Sequence, residues 1–585
     1  MTTRPPHAPT RALTPKLRTT LLFLLVFGAT FVCLRITHAT LLGLPYYWDE
    51  AGYFIPAARD IYADGSFIPH STLSNAHPPL VMTWLALAWK AFGFNINVAR
   101  TAMLAVAALA LSGVFALAAR VSNLRVAAAT VLLTAAYPVF FAQSTLAHLD
   151  MMVAALTMWA LVFYLPPRRD ATSSQPDATS LQPNATTLQG DATSLQDDAT
   201  SLSRSAMTLR EDTTSLRRPA TALRAGAEPL RGDAGSLRET ENPLFRRVLF
   251  VLLLALAALA KETAMLVPVV LCGWELVCRL LSRKAKLASL VCVERRPAWW
   301  SLTLLLAGVP LALWFAYHRA RTGYTLGNPE YFRYNVESTL NLARVLDTIW
   351  RRFGHVTFHM NLWALTLAGV AAMFLKPRRD RERERPRISL PVQLLFLVLI
   401  LAHVVALSVV GGAVLARYML PVLPLVVVVW VSTLWRRVPA WPLAVALVCA
   451  AFAYRTEVNP AYSFPWEENL AYRDFVLLHR DAARFLAEKY PDARVLTAWP
   501  ATDELRNPYY GYTPRALNVV PVENFLLAEL ERAAARKGEY DVAFIYSSHG
   551  GLQLKEVAEV LDAHIVFVEE RKGQWVAVVE VSSKR

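Results

Sequence analysis

Residues 248–260 read VLFVLLLALAALA; Lys261-Glu262-Thr263 interrupts them, and a second apolar run continues to Leu281. Two such runs back to back have the length and purity of bilayer-spanning helices joined by a tight turn, rather than of core helices. The stretch 387–410 repeats the pattern. Across all 585 residues, 55% are hydrophobic and only 18% are charged, and the mean hydropathy is +0.32. A soluble chain of this length would divide into several domains whose surfaces need charge. The composition therefore points to a polytopic α-helical membrane bundle, with no nucleic-acid partner expected.

Working outward, spans are expected near 19–43, 97–119, 126–144, 150–166, 246–260, 263–281, 299–317, 357–375, 389–410, 415–434 and 439–455, about eleven in all. Arg4, Arg11, Lys16 and Arg18 precede the first, whose apolar run extends toward Leu44 without a small-residue cleavage site, so it reads as an anchor with a cytoplasmic N-terminus. Arg120 and Arg125, Arg168 and Arg169, Arg283 to Arg296, Lys376 to Arg387, and Arg436 with Arg437 then fall on loops of the same, cytoplasmic side. Residues 78–93 are apolar but short and carry Lys90; were they to span, the later basic loops would face outward, so they read as an interfacial helix. Residues 318–356 break the charge rule with Arg319, Arg321, Arg333, Arg344, Arg351 and Arg352. They read either as a headgroup-contacting loop or as an electropositive rim for an anionic substrate.

Two segments differ in character. Residues 170–239 are tandem heptapeptides with a Leu recurring from Leu181 to Leu237, but Pro176, Pro183, Pro219 and Pro229 argue against a coiled coil. They read as a disordered cytoplasmic insert, dispensable for chemistry, where the Asn184 sequon goes unused. After 455, amphipathic stretches at 472–489 and 523–537 alternate with short apolar strands at Arg494–Ala498, Asn518–Val522, Val542–Tyr546, Ile565–Val568 and Trp575–Val581. That alternation predicts a soluble α/β layer domain. Trp499-Pro-Ala-Thr-Asp-Glu-Leu follows a strand there and reads as a strand–helix turn or a ligand site. The expected organisation is a bundle over 1–455 containing the 170–239 insert, and an extracytoplasmic α/β domain over 456–585. Cys33, Cys272, Cys278, Cys292 and Cys449 all precede that domain, leaving it without disulfides, and show no metal-type spacing.

The chemistry is sought where charges gather. Tyr46-Tyr-Trp-Asp-Glu-Ala-Gly-Tyr53 sets Asp49 and Glu50 directly after the first span, where unassigned charge beside aromatic rings is costly. A carboxylate there could be a general base or hold a cation. Asn75-Ala-His77-Pro-Pro-Leu80, His148-Leu-Asp150, Lys261-Glu262 and Arg417-Tyr418 fall at the same expected depth, the outer interface. Each alone is an ordinary snorkelling or capping residue. Five clusters on one face point to a site.

This set of motifs resembles the class C glycosyltransferases, and within them the family of protein O-mannosyltransferases and lipid A aminoarabinose transferases (glycosyltransferase family 39), over about residues 19–165 and 246–435. The resemblance implies transfer of a sugar from a polyprenyl-phosphate donor to a lipid, glycan or protein acceptor on the extracytoplasmic face of an integral cell-membrane protein, with inversion. It implies Asp49 as the base, with Glu50 beside it, and Asp150 as the second loop carboxylate. His77 stands where the aminoarabinose transferases carry a Lys before Pro. Its neutral imidazole supplies less charge, which leaves donor phosphate binding to His77, Lys261, Arg417 and Tyr418 together. Two other classes stay open. A flippase or transporter would place charges near the midplane, and Pro268, Pro310 and Pro421 could break helices for it. An oligosaccharyltransferase-like ligase would use a diphosphate donor and a divalent cation at Asp49 and Asp150.

Overall fold

A computed structural model describes residues 15–166, 243–281, 288, 290–294, 298–329, 333, 340–380, 382–410, 412–461, 464–547 and 552–581. The heptapeptide insert, its Asn184 sequon, Arg4, Arg11, Arg168, Arg169 and the basic residues from Arg283 to Lys286 and at Arg295 and Arg296 lie outside them.

Helices occupy all of the segments read as spans. The longest, Ile96–Val121, starts where Asn95 accepts a hydrogen bond from the Val98 amide at 3.0 Å, one of the orphan donors a helix start leaves. Asn123 caps Leu124–Ala136 in the same way, accepting from Arg125 and Val126. Among the described residues, six helical stretches are long and apolar enough to cross a membrane: Thr20–Thr37, Ile96–Val121, Glu262–Leu281, Trp300–Thr322, Leu342–Met373 and Leu390–Val409. Leu149–Tyr164 and Leu124–Ala136 are apolar but shorter. Leu25, Ile36, Leu305, Leu313 and Leu401 stay exposed on these helices, an arrangement that needs lipid rather than water around it. The chain is an integral membrane protein.

The segment expected to lie on the membrane forms Leu80–Phe92, about 20 Å long at 1.5 Å per residue. It buries Val81, Leu85 and Trp89 and exposes Leu87 and Phe92. Sequence reasoning treated 318–356 as a loop, but Leu342–Thr357 is a helix that Asn341 caps. Its arginines disguise it, because they are spaced around a helix whose Leu342, Leu346, Trp350 and Phe353 are exposed.

Arginines at the basic end close helix termini. Arg120 donates to the Leu165 carbonyl at 2.7 Å and Arg246 to the same oxygen at 2.6 Å. Arg385 reaches the Trp435 carbonyl at 2.7 Å, and Arg437 that of Met373 at 2.9 Å. The last turn of a helix leaves carbonyls unpaired, so part of the charge pattern that reads as topology also terminates helices.

The tail is an α/β layer. After a two-stranded ribbon, β1 (Arg379–Asp380) and β2 (Arg383–Glu384), come β3 (Arg494–Ala498), β4 (Asn518–Val522), β5 (Val542–Tyr546), β6 (Ala563–Arg571) and β7 (Gln574–Val581). The last five form one sheet in the order β4-β3-β5-β7-β6, parallel among the first three and antiparallel from β5 onward. Helix Ala471–Lys489 packs on it. Thr19–Pro167 and Asn242–Arg585 form one compact unit, so tail and helices share a core.

Two tyrosines carry the junction. Tyr510 accepts from the Tyr46 amide through its carbonyl at 3.1 Å and donates its hydroxyl to Ala51 O at 2.6 Å. The Tyr512 hydroxyl donates to Tyr46 O at 3.0 Å. Gly511 between them has φ +94°, and a Cβ there would meet Ile96 at 2.6 Å, so only glycine fits.

Candidate active site

The loop that the tail grips carries Asp49 and Glu50, and the two neighbours face different worlds. Trp48 has φ +45° and is followed by a turn of π-helix over Glu50–Phe54, a strained start of the kind that clusters at functional sites. The turn leaves the Asp49 side chain 37% exposed and the Glu50 side chain fully buried. Glu50 Oε1 meets Arg100 Nη1 at 2.5 Å and accepts from the Ala147 amide at 2.5 Å, while Oε2 accepts from the Tyr47 amide at 2.9 Å. Arg100 also donates to the carbonyls of Pro45 at 2.9 Å and Thr145 at 3.0 Å. Glu50 thus ties the first loop to the residues just before His148 and Asp150, and it is absent from the lining of the cavity beside Asp49.

That cavity has a volume of about 900 Å³ and is lined by Asp49, His77, Asp150, Lys261, Arg417 and Tyr418, drawn from five separate stretches of chain. Arg417 is the hub. Its Nη2 lies 2.6 Å from Asp49 Oδ2, its Nη1 2.8 Å from Glu467 Oε1, and its Nε 3.4 Å from Asp150 Oδ2. Asp150 Oδ1 holds Lys261 Nζ at 2.7 Å, and that ammonium sits 3.9 Å from the centre of the Tyr418 ring. Across the cavity His77 Nδ1 pairs with Glu262 at 3.0 Å, and Ala76 before it has φ +60°. Phe315, Leu326, Leu407, Val410 and Phe464 supply an apolar wall.

Sequence reasoning missed Glu467. A signal was available: Trp466-Glu467-Glu468 repeats the Trp48-Asp49-Glu50 pattern, and the two tripeptides are used alike. The first acid of each faces the cavity and Arg417. The second is buried and accepts from a backbone amide just before a site residue. Glu468 takes Ala416 N at 2.6 Å, immediately before Arg417, and its other oxygen pairs with His359 at 2.6 Å. Trp499, flagged as a turn or ligand position, packs instead on the first loop, 4.8 Å from the Trp48 ring.

The charges follow from burial. Arg417 is buried and surrounded by the carboxyl groups of Asp49, Glu467 and Asp150. Burial opposes the Lys261 charge, and Asp150 and Tyr418 keep it. Burial, then the charges of Arg417, Arg100 and Lys261, hold the His148 imidazole well below its usual value. The neutral ring lies against Gln143 Oε1, 2.7 Å from its Nδ1, and against Arg417 Nη1, which is 2.8 Å from Nδ1 and 3.1 Å from Nε2.

Burial pushes the Glu467 carboxyl up to about 8, the Asp49 and Glu468 charges adding to this and Arg417 opposing it. The unfolded chain releases this proton near 4.5 and the folded protein near 8. The proton's contribution to stability is therefore whole below the lower value and lost as pH rises through the upper one. Thermal unfolding of wild type should lose ground against Glu467→Gln between pH 5 and pH 8. Parallel profiles would mean that Glu467 is ionised throughout.

A metal fits this arrangement poorly. The Arg417 guanidinium already bridges Asp49 and Asp150, and among the described residues no group of three or more His, Cys, Asp or Glu side chains is placed to hold an ion.

No family model matches the sequence, and no curated protein does. Solved structures do. ArnT from Cupriavidus metallidurans bound to undecaprenyl phosphate is 14% identical over 96% of this chain and 98% of that one, with a TM-score of 0.47. The oligosaccharyltransferase AglB from Archaeoglobus fulgidus, in complex with an inhibitory peptide and a dolichol-phosphate, is 12% identical over 96% and 74%, with a TM-score of 0.43. An Archaeoglobus fulgidus oligosaccharyltransferase tethered to an acceptor peptide containing the NVT sequon is 12% identical over 91% and 69%, also with a TM-score of 0.43. They are of the class that the sequence motifs resemble.

Proposed function

We propose that the chain is a glycosyltransferase that moves a sugar from a polyprenyl-phosphate donor to a hydroxyl-bearing acceptor on the extracytoplasmic face. The observation that carries this reading is the cavity itself, whose lining joins carboxylates and cations to aliphatic and aromatic side chains. Such a lining suits an amphiphile with an anionic head and a hydrocarbon tail.

The chemistry needs one base and a stabilised leaving group. The acceptor oxygen attacks the anomeric carbon as Asp49 takes its proton. The bond from that carbon to the phosphate oxygen breaks, and the electron pair leaves with the phosphate, which needs no acid. Attack opposite the departing phosphate inverts the anomeric centre. Asp49 is the carboxylate chosen for the base because it is exposed to the cavity and held by Arg417, whereas Glu50 is spent on Arg100 and two amides. Asp150 orients Lys261 and Arg417. The soluble domain contributes Glu467 and faces the aqueous side from which the acceptor arrives. The basic helix ends lie on the cytoplasmic side.

The test is transfer of labelled sugar from a polyprenyl-phosphate pool by the purified protein in lipid. Label in an acceptor supports the reading. Binding of the donor without transfer would turn it toward a flippase, and strict dependence on a diphosphate donor toward a ligase.

A further inference from the structure

Glu468 is fully buried, and each of its oxygens serves a different part of the chain. Oε1 accepts from the Ala416 amide at 2.6 Å, and Oε2 pairs with His359 Nε2 at 2.6 Å. Ala416 opens the short 3-10 turn Ala416–Met419, whose Arg417 and Tyr418 line the cavity. Such a turn has poorer hydrogen bonds of its own than an α-helix, so its place depends on what holds it from outside. Two consecutive acids hold it. Glu468 takes the backbone just before Arg417, and Glu467 takes the Arg417 guanidinium at 2.8 Å.

His359 owes its place to a corner. The helices Leu342–Thr357 and Leu362–Met373 meet there, and Met360 at φ +48° and Asn361 at φ +68° turn the chain between them. Left-handed backbone is costly for residues other than glycine and persists only where the surroundings over-determine it. Here Met360 is buried in the core, and Asn361 Nδ2 donates to the Ala451 carbonyl at 2.8 Å. The His355 ring, four residues earlier, lies 4.9 Å from that of His359. Neither His359 nor Glu468 lines the cavity, so neither meets a ligand there.

We infer that His359 and Glu468 are positioning residues for Arg417. The corner sets the imidazole, the imidazole sets the carboxylate, and the carboxylate sets the backbone from which Arg417 reaches Asp49. This rests on the transferase reading above, in which Arg417 holds the base Asp49 at 2.6 Å. Misplacing a reacting group by about 1 Å costs about a hundredfold in rate. A buried pair that touches neither substrate thus governs the rate of transfer.

The experiment uses the full-length protein in lipid nanodiscs and measures sugar transfer at saturating donor. Glu468→Ala should transfer about a hundredfold more slowly than wild type. Glu468→Gln keeps an oxygen for the Ala416 amide and should recover most of that loss. In an Arg417→Lys background, where the guanidinium fork is already gone, Glu468→Ala should slow transfer by less than about threefold. Wild-type turnover by Glu468→Ala, or the same factor in both backgrounds, would overturn the inference, the second because Glu468 would then act on the fold at large. Should Glu468→Ala not fold, His359→Ala and His359→Gln replace it in the same comparison, since both leave Glu468 on the Ala416 amide. A structure of the variant gives a reading independent of turnover: the Arg417–Asp49 contact should open beyond about 4 Å, and an unchanged contact overturns the inference. Wild type that transfers no sugar would instead sink the proposed function, and that contact alone would then decide the role of Glu468.

Discussion

Asp49→Asn should lower sugar transfer by about a thousandfold, near the middle of the range for loss of a positioned base. The side chain keeps its shape, so Arg417 remains between Asp150 and Glu467 and the cavity keeps its form. On the proposed mechanism, what is lost is the atom that accepts the acceptor's proton. Donor binding and thermal unfolding should stay close to wild type. A rate within tenfold of wild type, measured at saturating donor, would remove Asp49 from the role of base and pass it to Asp150 or Glu467.

Glu50→Gln should fail differently. Glu50 and Arg100 are both buried, and the glutamate also satisfies the Tyr47 and Ala147 amides. Removing one partner of such a pair strands the other charge and costs about 3–5 kcal/mol. The variant should unfold well below wild type whether or not substrate is present. A second substitution, Arg100→Met, should return much of the loss because no charge is then left unpaired. Glu50→Gln with wild-type stability and no turnover would place Glu50 in the chemistry after all. Neighbours in sequence, Asp49 and Glu50 are thus expected to separate cleanly, one in rate and the other in stability.

Much of this arrangement is legible in the chain before any coordinates. Apolar runs bounded by basic residues mark the helices, because a bilayer tolerates few other solutions. The strands of the tail alternate and are punctuated, so β3, β4 and β5 fall where the pattern puts them. Asp49, Asp150, Lys261 and Arg417 stand out as charges at the ends of apolar runs. The pairing among them does not, since Arg417 meets Asp49 across 368 residues. Glu50 could not be told from Asp49 by position; only the turn of π-helix and Arg100, fifty residues on, separate their roles. Glu467 was hidden because the tail reads as a domain apart. Helix Leu342–Thr357 was hidden because six positive charges in a segment make it read as a loop.

The grip of Tyr510 and Tyr512 on the first loop has a bearing on biogenesis. Asp49 is made almost at once, but the hydroxyls that brace its loop come more than four hundred residues later. A ribosome reaches them only after every helix has been handed to the membrane. A half-made chain therefore carries the carboxylate without the brace, and without Glu467 against Arg417. The charged lining of the cavity and the brace on its first loop are complete only once the tail has been made.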